Sequence, residues 1–472
     1  MSNSYRPAFH FTPPANWMND PNGMVWHNGV YHLFYQHHPH SMVWGPMHWG
    51  HAISRDLIHW QHLPIALYPD EHGMIFSGSA VVDWKNTAGF GEETLVAIFT
   101  YNKNHIETQN LAYSLDHGKT WKKYAGNPVI GYRDDLKDCR DPKVFWYEDH
   151  WVMVLAAGKH ILFYVSPDLK HWDQSGVFDC ERDTGDGIYE TPDLFQLPVD
   201  GSYPRWVLTV GVAKGAYAGG SGTQYFIGNF DGRTFKPENP PETSLWMDHG
   251  ADYYAPQSWN NEPNGRRLML GWMSNWQYAT LTPATSWRGA FSIIREISLK
   301  RNGDEVYLSQ QPIPEMRTLR GKHTRWLEKI IEPNTNLLAD IRGTSLEIIA
   351  DFKLFYNARR FGVRVRVGKQ EQTTICYETE PRTLSVDRTR SGRVDFHDAF
   401  AGIHSASLLP LNDVIRLHIF VDVSSVEVFA NDGLLTFTDC IFPAEESQGL
   451  ELFVEGGDIL LLSLDLFQLK PA

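Results

Sequence analysis

The sequence predicts an all-β chain: a five-bladed β-propeller over residues 1–314, a linker over 315–336 and a β-sandwich over 337–472. Three observations carry this. Strand-like apolar segments recur through the first two thirds at roughly 55 to 65 residues, a spacing in the range of propeller blades. Helical periodicity is nearly absent from that region. After Pro312-Ile-Pro314 the pattern changes to an alternation of apolar and polar residues, which suits strands with one wet face.

The recurring segments are Tyr31 to Gln36, Leu95 to Tyr101, Trp151 to Ala157, Trp206 to Val210 and Arg267 to Trp272. Three are followed by a Ser-x-Asp turn closed by a tryptophan: Ser54-Arg-Asp56 with Trp60, Ser114-Leu-Asp116 with Trp121, and Ser166-Pro-Asp168 with Trp172. Phe230-Asp-Gly-Arg-Thr-Phe235 is a relative of it in the fourth repeat. A short polar side chain that bonds its own backbone, with an aromatic packed beneath, closes a hairpin. A further short segment precedes each apolar one and opens on a polar residue: Asp20-Pro21, Ser77-Gly78, Asp141-Pro142, Glu190-Thr191-Pro192 and Asp252 to Pro256. As innermost strands of blades closed into a ring, these segments point their leading residues into one central funnel. Turn chemistry suffices to explain any single Asp-Pro step. Three carboxylates at the same place in the repeat point to a site.

The second domain reads as strands at Leu346 to Phe352, Phe361 to Val367, Val414 to Phe420, Val426 to Phe429 and Leu450 to Val454, with Asn431-Asp-Gly433 as a tight turn. It carries no catalytic cluster, and packing against the propeller is its expected role.

Composition narrows the function. The length of 472 residues exceeds one ordinary core. Seventeen tryptophans serve either a β core or the apolar faces of sugar rings. A net charge of −14 argues against a nucleic-acid partner. No apolar run is long enough to cross a bilayer, so no membrane partner is expected. Met1 to Pro14 lacks the features of an export signal, which makes the cytoplasm the expected location. Cys139, Cys180, Cys376 and Cys440 show no CxxC spacing and are expected as free thiols. His37, His38, His40, His48, His51, His59 and His62 crowd the early chain without a helix-spaced pair beside a carboxylate. They read as packed or surface residues, with no metal and no cofactor.

The carboxylates suggest a chemistry. Cleaving a glycosidic bond with retention needs two carboxyl groups about 5 to 5.5 Å apart, one to attack the anomeric carbon and one to protonate the leaving oxygen. Asp20, with Asn19 and Asn22 as amide donors, suits the nucleophile. Asp141 beside Arg140 suits an ionised ligand of sugar hydroxyls. Glu190 remains for the acid, its pKa raised by burial and by the two other charges. An inverting five-bladed glycosidase, with carboxyls about 6.5 to 9.5 Å apart, stays open on these residues. So does a non-catalytic sugar-binding propeller, although that would be expected to lose a carboxylate.

The chain resembles glycoside hydrolase family 32, which includes invertases, levanases, inulinases and sucrose-6-phosphate hydrolases. Trp17-Met-Asn-Asp-Pro-Asn-Gly23, Phe76-Ser77-Gly78, Arg140-Asp-Pro142 and Glu190-Thr-Pro192 stand in the family order, and Asp422-Val-Ser-Ser-Val-Glu-Val-Phe429 extends the resemblance into the second domain. The resemblance implies a retaining exo-acting β-fructofuranosidase that releases terminal fructose from sucrose, fructo-oligosaccharides, levan or inulin. By it Asp20 is the nucleophile, Glu190 the acid/base and Asp141 a transition-state stabiliser. Asn19, Gln36, Trp44, Phe76, Ser77, Arg140, Asp252 and Trp272 would line the fructose subsite. Many relatives carry Cys where this chain has Thr191, a departure expected to tune the acid. Gly220 to Phe226, Gly271 to Trp276 and Trp287-Arg-Gly289 look more like levanases and exo-inulinases than dedicated sucrose-6-phosphate hydrolases. Sucrose-6-phosphate hydrolysis and fructosyl transfer are the alternative activities.

Overall fold

The computed structural model describes residues 5–179, 187–240, 242–303, 305–354 and 357–472. Five sheets follow one another along the first 312 residues, each built from antiparallel strands near in sequence, except that the short strand Trp287–Arg288 joins the first sheet from within the fifth. Their inner strands are Asn16–His27, Met74–Asp83, Cys139–Tyr147, Tyr189–Pro198 and Tyr254–Ser258, defining blades I to V. The apolar segments of the repeat are the second strands, Val30–His38, Thr94–Lys103, His150–Ala157, Pro204–Val212 and Leu268–Trp272. They are buried because each is flanked by its own sheet and by the next blade. Val152, Val154 and Phe163 of blade III, for example, pack on Leu194, Leu208 and Val210 of blade IV. Blade V closes on blade I through backbone bonds of Asn260 with Met24 and Trp26 (2.9 and 3.0 Å), and through Trp287–Arg288, which pairs parallel to Asn16 and Trp17.

The Ser-x-Asp turns work as their sequence implies. Ser54 Oγ accepts the Leu57 amide (2.8 Å), and Asp56 Oδ1 accepts those of Ile58 and His59 (3.0 and 2.8 Å). The Trp121 and Trp172 indoles close the later copies by donating to the carbonyls of Gly118 and Leu169 (3.1 and 2.7 Å).

One irregularity recurs in all five inner strands and positions the site. Pairing with the second strand slips between Met18 and Pro21, Ile75 and Gly78, Arg140 and Lys143, Glu190 and Asp193, and Tyr254 and Gln257. Such bulges bend a strand and re-aim its side chains. Pro142, Pro192 and Pro256 sit inside the slips, where a residue without an N–H costs no ladder bond, and Pro21 is the first residue paired after its slip. Asp141, Thr191 and Ala255, each just before its proline, hold left-handed backbone with φ of +65°, +46° and +50°. Asp20, before Pro21, does not share this conformation.

The second domain stacks a six-stranded sheet on a five-stranded one. Ile348, Ala350 and Phe352 of the first face Val363, Ile375 and Leu384 of the second in one core. Residues 315–336, expected as a linker, contain a strand instead. Arg320–Ile331 pairs with Ile459–Leu469 along one edge of the six-stranded sheet. It is an edge strand with mostly exposed side chains, so it lacks the apolar alternation that marks its neighbours.

Two buried charge clusters clamp the domains together. His10 bonds Asp422 Oδ2 and Glu427 Oε1 (2.8 and 2.9 Å), while Arg295 pairs with Asp248 and Glu427 (both 3.0 Å). Arg388 pairs with Asp252 (2.5 Å). The motif Asp422 to Phe429 therefore supplies two acids of the joint, Asp422 and Glu427, and the propeller supplies Asp248 and Asp252. Cys139, Cys376 and Cys440 are free thiols; Cys180 lies outside the described residues.

Candidate active site

The bulges of blades I to IV open on a pocket of about 530 Å³ lined by Asn19, Asp20, Gln36, Trp44, Phe76, Ser77, Arg140, Asp141 and Glu190, together with Met74, Asn102, Glu107, Asp138 and Trp276. Asp20, Ser77 and Asp141 are unpaired residues of their slips, each directly before a proline or glycine. Glu190, like Arg140 and Tyr254, is the last residue paired before its slip. Thr191 occupies the place of the aspartates in blade IV.

Each carboxylate has a different environment. Asp20 accepts from Ser77 Oγ on Oδ2 (2.6 Å) and from Asn19 Nδ2 on Oδ1 (3.1 Å). The Trp17 indole donates to Asn19 Oδ1 (2.8 Å), which turns the amide nitrogen toward Asp20. Burial pushes the Asp20 carboxyl up to about 6, against the pull of Ser77 and with a further push from Glu190. Asn22, expected as a second donor to this carboxylate, binds its backbone carbonyl instead (2.9 Å) and accepts the Gly78 amide (2.9 Å). The bulge turns Asn22 down the axis, away from the pocket.

Glu190 accepts from Arg140 Nη2 and Nε on Oε1 (2.9 and 3.3 Å) and from the Tyr254 phenol on Oε2. Arg140 also reaches Glu107 (3.0 Å) and Asp138 (2.8 Å). The adjacency of Arg140 and Asp141 suggested a guanidinium holding Asp141 ionised. The structure corrects this: Arg140 makes its ion pairs with three other acids, Glu190, Glu107 and Asp138. Burial pushes the Asp141 carboxyl well above its ordinary value; Arg140 opposes this, while Glu190 and Asp20 add to it. One Asp141 oxygen accepts the Thr191 amide (2.9 Å). Thr191 thus touches Asp141 through its backbone, and its hydroxyl is sealed without a partner.

Two residues expected on the wall lie elsewhere. Asp252 is fully buried at the domain joint, where Tyr278 OH, the Cys440 amide and Arg388 satisfy it (2.7, 2.8 and 2.5 Å). Trp272 is fully buried behind Trp276, their rings 4.8 Å apart. Trp276, the outer of the pair, lines the pocket and stacks on Trp17 at 6.0 Å. Its loop is held by Asn275, which donates to the Gly219 and Ala251 carbonyls (3.0 and 2.9 Å). A side chain at Gly220 would strike Asn275 Oδ1 at 2.1 Å. The two glycine-containing runs singled out in the sequence are therefore one interlocked loop pair. Trp276 was visible as the end of the second run; Tyr254, Asn102, Glu107 and Asp138 carried no local signal. Among the described residues, no group of three or more His, Cys, Asp or Glu is arranged to hold a metal ion.

Residues 10–312 match the N-terminal domain of glycosyl hydrolases family 32, and residues 315–468 match that family's C-terminal domain. The chain belongs to glycosyl hydrolase family 32. Within it, the chain is 52% identical to a levanase of Bacillus subtilis (strain 168), over 99% of this chain and 70% of that protein. It is 39% identical to an extracellular exo-inulinase of Aspergillus niger, over 96% and 92% of the two chains. The crystal structure of the exo-inulinase from Aspergillus awamori superimposes with a TM-score of 0.93 at 36% identity, covering both chains completely. A fructofuranosidase from Schwanniomyces occidentalis complexed with fructose superimposes at 0.89 with 31% identity, covering 99% of each. A family 32 propeller joined to its sandwich therefore accounts for the whole chain.

Proposed function

We propose that the protein is an exo-acting β-fructofuranosidase that removes terminal fructose from sucrose and from the ends of fructan chains by double displacement. One observation carries the reading: Asp20, Asp141 and Glu190 come from three blades to a single dead-ended pocket. Its base is sealed by hydrogen bonds between blades. Asn22 receives the Gly78 amide, Gln257 donates to the Thr191 and Pro192 carbonyls (3.0 and 3.1 Å), and Lys143 pairs with Asp193 (2.9 Å). A pocket with one mouth takes a chain end, not a chain middle. The likeness to a levanase and to exo-inulinases supports fructan ends as substrates.

Asp20 attacks C2 of the terminal fructosyl unit while Glu190 passes a proton to the glycosidic oxygen, and the C2–O bond breaks. Glu190 then takes a proton from water, whose oxygen attacks C2 and releases fructose and the Asp20 carboxylate. Two inversions leave the β configuration. Ser77 and Asn19 aim Asp20, while Arg140 and Tyr254 hold Glu190 against the opposite wall. Arg140 Nη1 also binds Glu107 and Asp138, which fixes the guanidinium beside Glu190. Asp141 binds sugar hydroxyls, which strengthens as charge develops at C2. Phosphorylated sucrose fits poorly, because the wall carries Asp20, Glu107, Asp138, Asp141 and Glu190 against Arg140 and His105.

Freshly released fructose, followed by NMR before it mutarotates, is expected as the β-anomer. Initial α-fructose would overturn double displacement, and internal fragments from levan or inulin would overturn the exo mode.

A further inference from the structure

A second cavity, of about 550 Å³, lies at the far end of the propeller axis. The catalytic residues sit early in their inner strands, whereas Val82, Trp146 and Phe195 of this cavity sit late in theirs. The inner strands run the same way around the ring, so the two cavities open on opposite faces, separated by the Lys143–Asp193 pair and its bond to the Ser258 carbonyl (2.7 Å).

Two features distinguish this cavity from a packing gap. One is aromatic: Trp84 stands at its rim 45% exposed, and Trp146 forms another wall. The other is charge. Lys85 lies 4.3 Å from the Trp146 ring centroid, and no carboxylate lies within 4 Å of its ammonium among the described residues. Arg267 packs its guanidinium over Phe195 (4.9 Å to the centroid) and donates from Nη1 to Ser258 Oγ (3.2 Å). Its Nε is sealed from solvent with no acceptor, and it too lacks a carboxylate within 4 Å. The one acid of the lining, Glu262, is committed to Arg266 (3.2 Å), which also pairs with Glu315 (2.9 Å). In a chain of net charge −14, two cations without an ion pair within 4 Å, balanced at longer range by Asp149 for Lys85 and by Asp193 and Glu262 for Arg267, line an aromatic-walled cavity that suits a planar-faced ring against the tryptophans and an anion toward Lys85 and Arg267.

We propose that this cavity is a second ligand site that binds a sugar ring carrying one anionic group, a hexose phosphate or a uronate. The site is distinct from the catalytic pocket, whose acidic wall repels such ligands. The ring lies against Trp84 and Trp146, and the anion faces the Arg267 guanidinium together with the Lys85 ammonium. The placement does not depend on the reaction catalysed on the other face.

The test is a calorimetric titration of the full chain with fructose 6-phosphate, with the catalytic pocket saturated by fructose. Saturable binding to one site is expected. It should weaken by about tenfold or more in Lys85→Ala, which removes a charge-assisted contact, and in Trp84→Ala. Both side chains are exposed, so neither variant threatens folding. Arg267→Gln should abolish binding. Inorganic phosphate should bind much more weakly, since it offers no ring. Glucuronate binding alongside fructose 6-phosphate would assign the site to sugar anions in general; fructose 6-phosphate binding alone would assign it to phosphorylated sugars. Absence of saturable binding by both, equal affinity for inorganic phosphate, or unchanged affinity in Lys85→Ala and Trp84→Ala would overturn the proposal. Fructose release is expected to be unchanged in Lys85→Ala, so failure of this site and failure of the catalytic reading are read separately.

Discussion

Replacing Ser77 by alanine removes the shorter of the two hydrogen bonds that Asp20 accepts from its neighbours, 2.6 Å against 3.1 Å from Asn19. The bond favours the carboxylate over the acid, so its loss raises the Asp20 pKa. A hydrogen bond to a charged group contributes about 1.5–3 kcal/mol. At about 1.36 kcal/mol per unit, that is a rise of about one to two units. Burial already holds this carboxyl at about 6. Asp20 must be ionised to attack, so the acid limb of kcat/KM follows its ionisation in the free enzyme. The limb is expected near pH 6 in the native protein and about one to two units higher in Ser77→Ala, with each unit costing about tenfold in rate on the limb. The assay is the initial rate of fructose release at substrate well below KM, across the pH range in which circular dichroism shows both proteins folded. An acid limb that stays in place, or moves to lower pH, would refute either the bond or the assignment of Asp20 as the group that must ionise.

Other outcomes follow from the same geometry. Glu190→Gln is expected to lose about 10²–10⁴-fold in turnover through loss of acid/base catalysis, and Asp20→Asn to be at least as severe, both remaining folded by circular dichroism. Asp252→Asn should lower stability, since breaking a buried pair costs about 3–5 kcal/mol. The folded fraction should keep near-native turnover, and a selective rise in KM would return Asp252 to the sugar site. His10 is held up at about 9: burial opposes its charge, but the bonds to Asp422 and Glu427 outweigh burial. Its contribution is therefore complete below the ordinary histidine pKa of about 6.5 and is lost as pH rises through about 9. The melting temperature should fall across that window in the native protein and fall less in His10→Gln. Chelators should leave turnover unchanged, and strong inhibition by them would reopen a metal role for the histidines.

Much of this protein was legible in its residues because a propeller repeats one physical problem five times. Every blade needs a buried second strand, a polar turn closed by an aromatic, and an inner strand broken where it meets the axis. Those needs write the apolar runs, the Ser-x-Asp turns and the proline steps into local sequence. Asp20, Asp141 and Glu190 were found that way, and the long motif from Trp17 to Gly23 carried the family. The edge strand Arg320–Ile331 was not, because a strand that buries little has no apolar pattern to show.

The partners of these groups are another matter. Asp252 looked like a fifth funnel residue, yet its neighbour is Arg388 on the other domain, 136 residues away. Arg140 looked like the counterion of Asp141, but its ion pairs are with Glu190, Glu107 and Asp138. Tyr254 and Trp276 reach the pocket only because the ring closes and two distant loops interlock. The sequence by itself determined the repeat, the fold class and the three carboxylates, since strand period, turn chemistry and proline are properties of adjacent residues. Only the tertiary structure decided which charge neutralises which. A buried ion is stabilised by whatever stands within a few ångströms of it in space, and in a closed ring those neighbours come from other blades and from the second domain.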